Sequence, residues 1–314
     1  MSELRVAVLG LGLAGRVLHL PALRRTPGVR VVAAADPDPA THPTKAAYPV
    51  VTDWQEALAV PADAVVVATP ADTHAEIAIA AFAAGRHVYL EKPIATDLRT
   101  AEAVACAGQA SRGIVQVGFA YRFHPLWRRL AALVRAGRLR PPLRGVGEFR
   151  PPTGGDGWRN PVVDVGCHHV DALSRVLGLR ATEVTAATDG GLVVRWPDGS
   201  TLEGRYVTGP DVDVVRVDGI GGTVVVDRIR GTRITGPRSV VGRAGLPHPL
   251  LTLAHLANRR WEPAFDLAQR AFRDAVRRGS TNDGHPGLDA GVAAVAVGEA
   301  TLRSLSSRQP EVVA

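Results

Sequence analysis

The sequence predicts an α/β chain in two parts: an N-terminal doubly wound parallel sheet, then a C-terminal α+β domain on a large, mostly antiparallel sheet. Three observations predict it. Up to about residue 120, short Val- and Ala-rich runs alternate with helical patterns. After a helical pattern at 125–136, strand runs follow one another with turn residues between them. Two long helical patterns close the chain. Continuous apolar strands separated by helices imply a parallel sheet covered on both faces, whereas consecutive strands imply antiparallel pairing. The expected domains are 1–121 and 122–314.

In chain order, the first strands are LRVAVLG (4–10), VRVVAAAD (29–36), AVVVATP (64–70), HVYLEKP (87–93) and GIVQVGF (113–119), with helices expected at 14–25, 53–59, 73–84 and 97–110. The proline-rich stretch 37–49 predicts a short, irregular crossover, because proline donates no backbone hydrogen bond. A helix at 163–178 follows the first strand of the second part. The further strands are PLRGVGEFR (142–150), ATEVTAAT (181–188), GLVVRWPDGSTLEGRYV (191–207, turning at Asp198-Gly199), DVDVVRVDG (211–219), GTVVVDR (222–228) and TRITG (232–236). Helices at 261–278 and 287–305 come last.

At 314 residues and 46% hydrophobic content the chain can bury a sizeable core. Its apolar runs fall short of the roughly 18 residues that span a bilayer, so no membrane association is expected. The N-terminus carries Glu3 and no basic leader, which predicts no secretion signal. Cys106 and Cys167 are too few for a disulfide framework and fit a reducing cytoplasm. A net charge of +7 raises the question of nucleic acid, but the arginines are dispersed and aromatic residues are few. Arg270, Arg273, Arg277 and Arg278 read as the solvated side of a helix whose apolar stripe is Trp261, Phe265, Ala268, Phe272 and Val276. No nucleic-acid partner is expected.

Gly10, Gly12 and Gly15 stand in GxGxxG spacing after the first strand and at the start of a helix. In that context the first glycine permits the turn, the second lets backbone approach a pyrophosphate, and the third lets helix and strand pack. The second strand ends at Asp36, where a carboxylate accepts from a ribose 2′-hydroxyl and repels a 2′-phosphate. The expected cofactor is therefore NAD, with NADP as the alternative. Thr69, Pro70 and His74 follow the third strand on the same ligand edge, with His74 in the first turn of a helix capped by Asp72 or Thr73.

Only two of the 37 basic residues are lysines, Lys45 and Lys92. A chain so biased toward arginine keeps Lys92 at the end of a strand of the same sheet, between Glu91 and Pro93. Lysine is a compact ammonium that can exchange a proton, which arginine cannot. On the helix expected at 163–178, Asp164, His168, Asp171 and Arg175 recur at helical spacing, so they share a face expected to line a cleft. Asp164 can orient His168 as a base. Cys167, His168, His169 and Asp171 make a poor metal site because only His168 and Asp171 share a side, and no metal is expected. His169 is expected in the core and Cys167 to behave as a small hydrophobe.

With these motifs, GLGLAG near residue 10, Asp36, ATPADTH, EKPIA, YRFHP and DVGCHHVD, the chain resembles the glucose-fructose oxidoreductase, inositol dehydrogenase and MocA family over essentially its whole length. The resemblance implies a Rossmann domain followed by an open-faced α+β domain, with assembly as a homodimer or homotetramer through that sheet. It implies Lys92, Asp164 and His168 as catalytic residues, and a cofactor strip of Gly10, Gly12, Leu13, Ala14, Gly15, Asp36, Thr69, Pro70, His74, Glu91 and Lys92. Lys92, Asp164 and His168, together with Tyr121, Arg122, His124, Trp158 and Arg159, are the substrate contacts it implies. The implied activity is hydride transfer between nicotinamide and a secondary hydroxyl or ketone of a sugar, aminosugar or cyclitol. Glycoside cleavage through transient oxidation with bound NAD, and a catalytically silent NAD-sensing regulator, are the alternatives. Two departures stand out: Ala120 and Tyr121 replace the Asn common before Arg-Phe, and WRNPVVDVG has no glycine-rich stretch.

Overall fold

Strands apolar along their whole length need cover on both faces, and the first sheet supplies it. β1 (Leu4–Leu9), β2 (Val29–Ala35), β3 (Val50–Val51), β4 (Ala64–Val67), β5 (His87–Leu90) and β6 (Val115–Val117) pair in the order β3-β2-β1-β4-β5-β6, all parallel. Val6 to Leu9 and Val65 to Val67 are fully buried. The computed structural model describes residues 3–150, 161–164, 166–207, 212–228, 233–237, 263–282 and 284–314. Its contacts divide the chain into two units, Met1–Ala120 with Glu262–Val295, and Tyr121–Trp261 with Ala296–Ala314.

In the first unit, a π-type turn (Leu13–His19) runs into α1 (Leu20–Arg24), followed by α2 (Trp54–Ala59), α3 (His74–Ala83) and α4 (Leu98–Ala110). Asp53 and Asp97 cap α2 and α4, accepting from the N–H groups of Gln55 and Thr100. Between β2 and β3 there is only a 3-10 turn (Pro39–Thr41), as the prolines dictate. The strand order reverses between β1 and β4. The loops leaving the carboxyl ends of those two strands therefore face each other at the point where such sheets bind ligands.

The second unit begins with α5 (Pro125–Arg135) and β7 (Arg140–Arg150), then α6 (Pro161–Asp164) and α7 (Gly166–Leu177). β8 (Glu183–Ala186), β9 (Gly191–Arg195), β10 (Thr201–Tyr206), β11 (Val212–Ile220), β12 (Gly222–Asp227) and β13 (Arg233–Thr235) follow. α8 (Pro263–Arg278), α9 (Leu288–Ser307) and β14 (Glu311–Val312) complete the chain. The second sheet has the order β13-β12-β11-β7-β10-β9-β8-β14, with β7 and β10 parallel and its other pairs antiparallel. Leu202, Tyr206, Val194, Val184, Val215 and Val226 point to one face and join Leu130, Val170 and Leu173 in a single core. The alternate residues form the other face, where Arg144 pairs with Glu203 and Arg195 with Glu183. The Asp198-Gly199 turn is present: Gly199 takes φ +83°, and the Asp198 carboxylate accepts from the Ser200 N–H.

α8 was expected with the second part, but its contacts lie in the first unit. Arg25 forks onto Asp266 at 2.7 and 2.9 Å, Gln116 Nε2 donates to the Ala268 carbonyl, and Phe272 meets the Tyr89 ring edge-on at 5.8 Å. Helical periodicity reveals which face is apolar and says nothing about which sheet will cover it. The arginines expected on a solvated face divide likewise. Arg273 and Arg277 donate to the carbonyls of Pro27 and Gly28, while Arg270 and Arg278 are exposed. Trp261 lies outside the described residues.

Replacing Phe272 with Ala should therefore cost about 3–5 kcal/mol by emptying a packed site, whereas Leu302→Ala, on an exposed part of α9, should stay within about 0.5 kcal/mol. Denaturant midpoints of the two variants check this. Equal midpoints would show that α8 does not pack on β5.

Candidate active site

The three glycines after β1 serve three separate needs. Gly10 has φ +93°, and a Cβ there would overlap the Ala68–Thr69 backbone leaving β4. A Cβ on Gly15 would collide with the Gly10 carbonyl. Gly12 is exposed, with nothing within 4 Å of the place a Cβ would take, so a ligand can approach its backbone. The helix expected at 14–25 starts as a π-type turn because Pro21 has no N–H and the Leu20 N–H reaches back to the Gly15 carbonyl. Leu13 is 65% exposed beside the loop.

Asp36, just beyond β2, is buried, and its position is fixed by the glycine loop itself. One carboxylate oxygen accepts the Leu11 N–H at 2.6 Å and the other accepts the Asp38 N–H at 3.0 Å. The segment 37–44 carries no Lys or Arg. An approachable Gly12, the free N–H groups of a helical N-terminus and a carboxylate at the end of β2 fit a dinucleotide whose ribose keeps its 2′-hydroxyl. Thr69, half-buried, and Pro70, exposed, stand on the adjoining loop.

Glu91, Lys92 and Pro93 leave the carboxyl end of β5, and the Lys92–Pro93 peptide is cis. Lys92 is half-buried, whereas Glu91 is buried, with room made by Gly118: a Cβ there would sit 2.6 Å from the carboxylate. Burial pushes the Glu91 pKa up. The His19 hydrogen bond, with the ammonium and N–H of Lys92, outweighs it and holds the group ionised below its usual range. The distances are 2.9 Å from His19 Nε2 to Oε1 and 3.1 Å from the Lys92 N–H to Oε2. Gln269 Nε2 lies 2.9 Å from His19 Nδ1.

His74, expected to line the cofactor, turns inward instead. Nδ1 is 2.7 Å from the Pro93 carbonyl and Nε2 is 2.8 Å from the Thr69 carbonyl. Burial lowers its pKa by more than the two carbonyls raise it, so the neutral ring donates one N–H to this pair of acceptors. Thr73 is the N-cap of α3 without a side-chain capping bond, and its hydroxyl donates to Thr69 Oγ1.

In the second unit Asp164 ends α6, while His168, Asp171 and Arg175 lie on α7, with Val165 outside the described residues. Asp164, His168 and Arg175 are half-buried. The Tyr121 ring stacks on His168 with centroids 4.9 Å apart and planes 20° apart, and the Arg228 guanidinium lies 4.8 Å from the same ring. The Tyr121 hydroxyl donates to Asp213, which also accepts from His169 Nε2 at 3.1 Å and Arg228 Nε at 2.7 Å. Burial pushes Asp213 up, but the charges of Arg228 and His169 and the hydrogen bonds from His169 and Tyr121 hold it far below the usual carboxylate range. The Tyr206 hydroxyl lies 3.1 Å from His169 Nδ1, so His169 is a bonded part of the core rather than an inert one. Cys167 Sγ donates to the Asp164 carbonyl, a use beyond simple packing.

Three expected substrate contacts are thus committed to the protein. Tyr121 serves Asp213 and His168, and Arg122 forms a two-pronged bond to Asp171 at 2.7 and 2.8 Å. The buried His124 ring caps α5 by accepting the Leu126 N–H. Only the distant partners of Tyr121 and Arg122, Asp213 and Asp171, reveal these ties. Trp158 and Arg159 lie outside the described residues. Among the described residues, no group of three or more His, Cys, Asp or Glu side chains could hold a metal ion. His19 and Gln269 were missed by sequence reasoning; the available signal was a polar residue interrupting each of two apolar helical stripes.

A family model described as an oxidoreductase family with an NAD-binding Rossmann fold matches residues 4–119. Inositol 2-dehydrogenase 2 of Mycolicibacterium vanbaalenii is 31% identical over 334 residues, covering 99% of this chain and 95% of that protein. The crystal structure of GenD2 from gentamicin A biosynthesis, in complex with NAD, is 25% identical, with TM-score 0.82 and coverage of 100% of this chain and 97% of that one. The scyllo-inositol dehydrogenase of Lactobacillus casei shares the fold at 17% identity, with TM-score 0.83 and coverage of 99% and 98%.

His74 and His87 both have pKa values lowered from 6.5, chiefly by burial. Below that value the unfolded chain binds more protons than the folded one, so stability is complete above pH 6.5 and falls as pH drops toward the lowered folded values. Glu91, lowered from 4.5, adds a second loss at more acidic pH. Denaturant midpoints measured from neutral pH downward should fall, beginning near 6.5; a flat or rising profile would refute the buried, neutral assignment of the two rings.

Proposed function

We propose, from the premise that this chain belongs to the Gfo/Idh/MocA oxidoreductase family, that Lys92, Asp164 and His168 form its reacting set. The protein is an NAD-dependent dehydrogenase acting on CH–OH groups of a sugar, aminosugar or cyclitol. Lys92 carries the reading, because it emerges on the ligand edge of β5, with only β4 between it and the glycine loop of β1. Relatives named as inositol 2-dehydrogenases align over nearly the whole chain, which favours a cyclitol or a similarly hydroxylated ring as substrate.

Bound NAD supplies the hydride acceptor. In the oxidative direction His168 takes the proton of the substrate hydroxyl, Lys92 donates a hydrogen bond to the reacting oxygen, and Asp164 favours the protonated imidazole by its charge. The Tyr121 ring limits His168 to one plane, which aids proton transfer by pre-orientation. In the reductive direction the same groups return the proton to the ketone oxygen. Arginine at position 92 would keep the charge, but its planar fork could neither relay a proton nor occupy the same small volume.

A panel of inositols, free sugars, aminosugars and their keto forms, followed at the reduced-nicotinamide absorbance with NAD and with NADP, tests this reading. Turnover is expected with NAD preferred, because Asp36 disfavours a 2′-phosphate; preference for NADP would sink the role given to Asp36. Lys92→Arg should lower turnover by ~100-fold or more while NAD affinity stays within about threefold. Turnover like that of the unaltered protein would remove Lys92 from the mechanism.

We read the charged and aliphatic face of the eight-stranded sheet as a homo-oligomer interface, supported by Val146 at 41% and Ile220 at 52% exposure. Light scattering should give a dimer or tetramer mass that Val146→Glu reduces; a monomer at micromolar concentration would exclude the interface. The cytoplasm is the proposed compartment, consistent with the free cysteines Cys106 and Cys167. Among the described residues no helix is long and apolar enough to cross a membrane.

A further inference from the structure

We infer that His19, oriented by Gln269, is a positioning residue for Lys92 and acts through the buried Glu91 carboxylate; the inference rests on the assignment of Lys92 to the reacting oxygen. Three side chains distant in sequence form one line of hydrogen bonds. Gln269 Nε2 donates to His19 Nδ1 at 2.9 Å, which leaves His19 Nε2–H to donate to Glu91 Oε1 at 2.9 Å. The second carboxylate oxygen accepts the Lys92 N–H at 3.1 Å.

The line holds a single geometry. His19 and Gln269 are almost completely buried. The His19 ring meets Tyr89 edge-on at 5.0 Å and Phe265 at 5.3 Å, which restricts its rotation. A side chain at Gly118 would displace the carboxylate, because a Cβ there would sit 2.6 Å from it. Stability alone does not call for such a line, because apolar side chains of similar volume would fill the space at no desolvation cost. The polar line instead orients the peptide that begins Lys92. His19 closes the turn that begins at the glycine loop, and Glu91 opens the loop that carries the lysine, so the tie sets the start of the Lys92 backbone relative to the glycine loop.

Only two lysines exist, so the full chain labelled with heavy nitrogen in lysine yields two backbone amide signals, with Lys45→Arg identifying each. In His19→Leu the Lys92 signal should shift as its bond to Glu91 loosens, while the Lys45 signal stays. Turnover should fall ~10-fold, the loss of one hydrogen bond to a charged group, with KM and NAD affinity within about threefold. His19→Gln, whose amide can still donate to Glu91, should restore both the signal and most of the turnover. An unmoved Lys92 signal in His19→Leu, or no rescue by His19→Gln, overturns the inference. If His19→Leu does not fold, Gln269→Leu applies the same criterion: its Lys92 signal must move in the same direction, and an unmoved signal overturns the inference. Unaltered turnover in Lys92→Arg sinks the parent assignment and this inference with it. A dead Lys92→Arg beside a fully active His19→Leu sinks this inference alone.

Discussion

A carboxylate taken out of water must be paired and hydrogen-bonded or give up its charge. The first unit meets that constraint at Glu91, and much of its local structure follows from it. His19, the Lys92 N–H and the absence of a side chain at Gly118 all answer to one buried anion. Gln269 reaches the same anion at second hand, by fixing the histidine. The lysine that follows Glu91 inherits a backbone held from behind, the support that a reacting group on a strand-end loop needs.

The second unit repeats the solution with other residues. Asp213, on β11, is buried behind the helix that carries His168 and is held by Arg228, His169 and Tyr121. Tyr121 passes that order forward by stacking on His168. Lys92 and His168 therefore each stand one step in front of a buried, charged anchor. Buried networks of this kind are costly when incomplete and rigid when complete. That rigidity suits proton transfer, where small misplacements are expensive.

The two sheets divide the remaining work by their pattern of burial. The parallel sheet is largely apolar, and its candidate ligand chemistry gathers at the carboxyl ends of the strands: the glycine loop after β1, Asp36 after β2, Thr69 after β4 and Lys92 after β5. The mixed sheet alternates, presenting an apolar face to its own helices and a face of charge pairs and scattered aliphatics on the other side. The difference follows from connectivity, because helical crossovers cover both faces of a parallel sheet and hairpins leave one face of an antiparallel sheet uncovered.

Most strands and helices were legible from periodicity, since each residue's solvent exposure along an element follows its own spacing. The glycine loop, Asp36, Lys92, Asp164 and His168 were legible because each lies in a short motif whose chemistry is local. The sequence by itself determined the two-part architecture and the glycine loop after β1, and it named the candidate reacting groups. The tertiary structure alone decided that α8 packs in the first unit, that His74 braces Pro93, that Tyr121, Arg122 and His124 serve the frame, and that His19 and Gln269 stand behind Lys92. The physical reason is common to all four. A buried polar group must find its partner wherever the chain brings one, and partners 72 and 250 residues apart leave no periodic trace in the sequence.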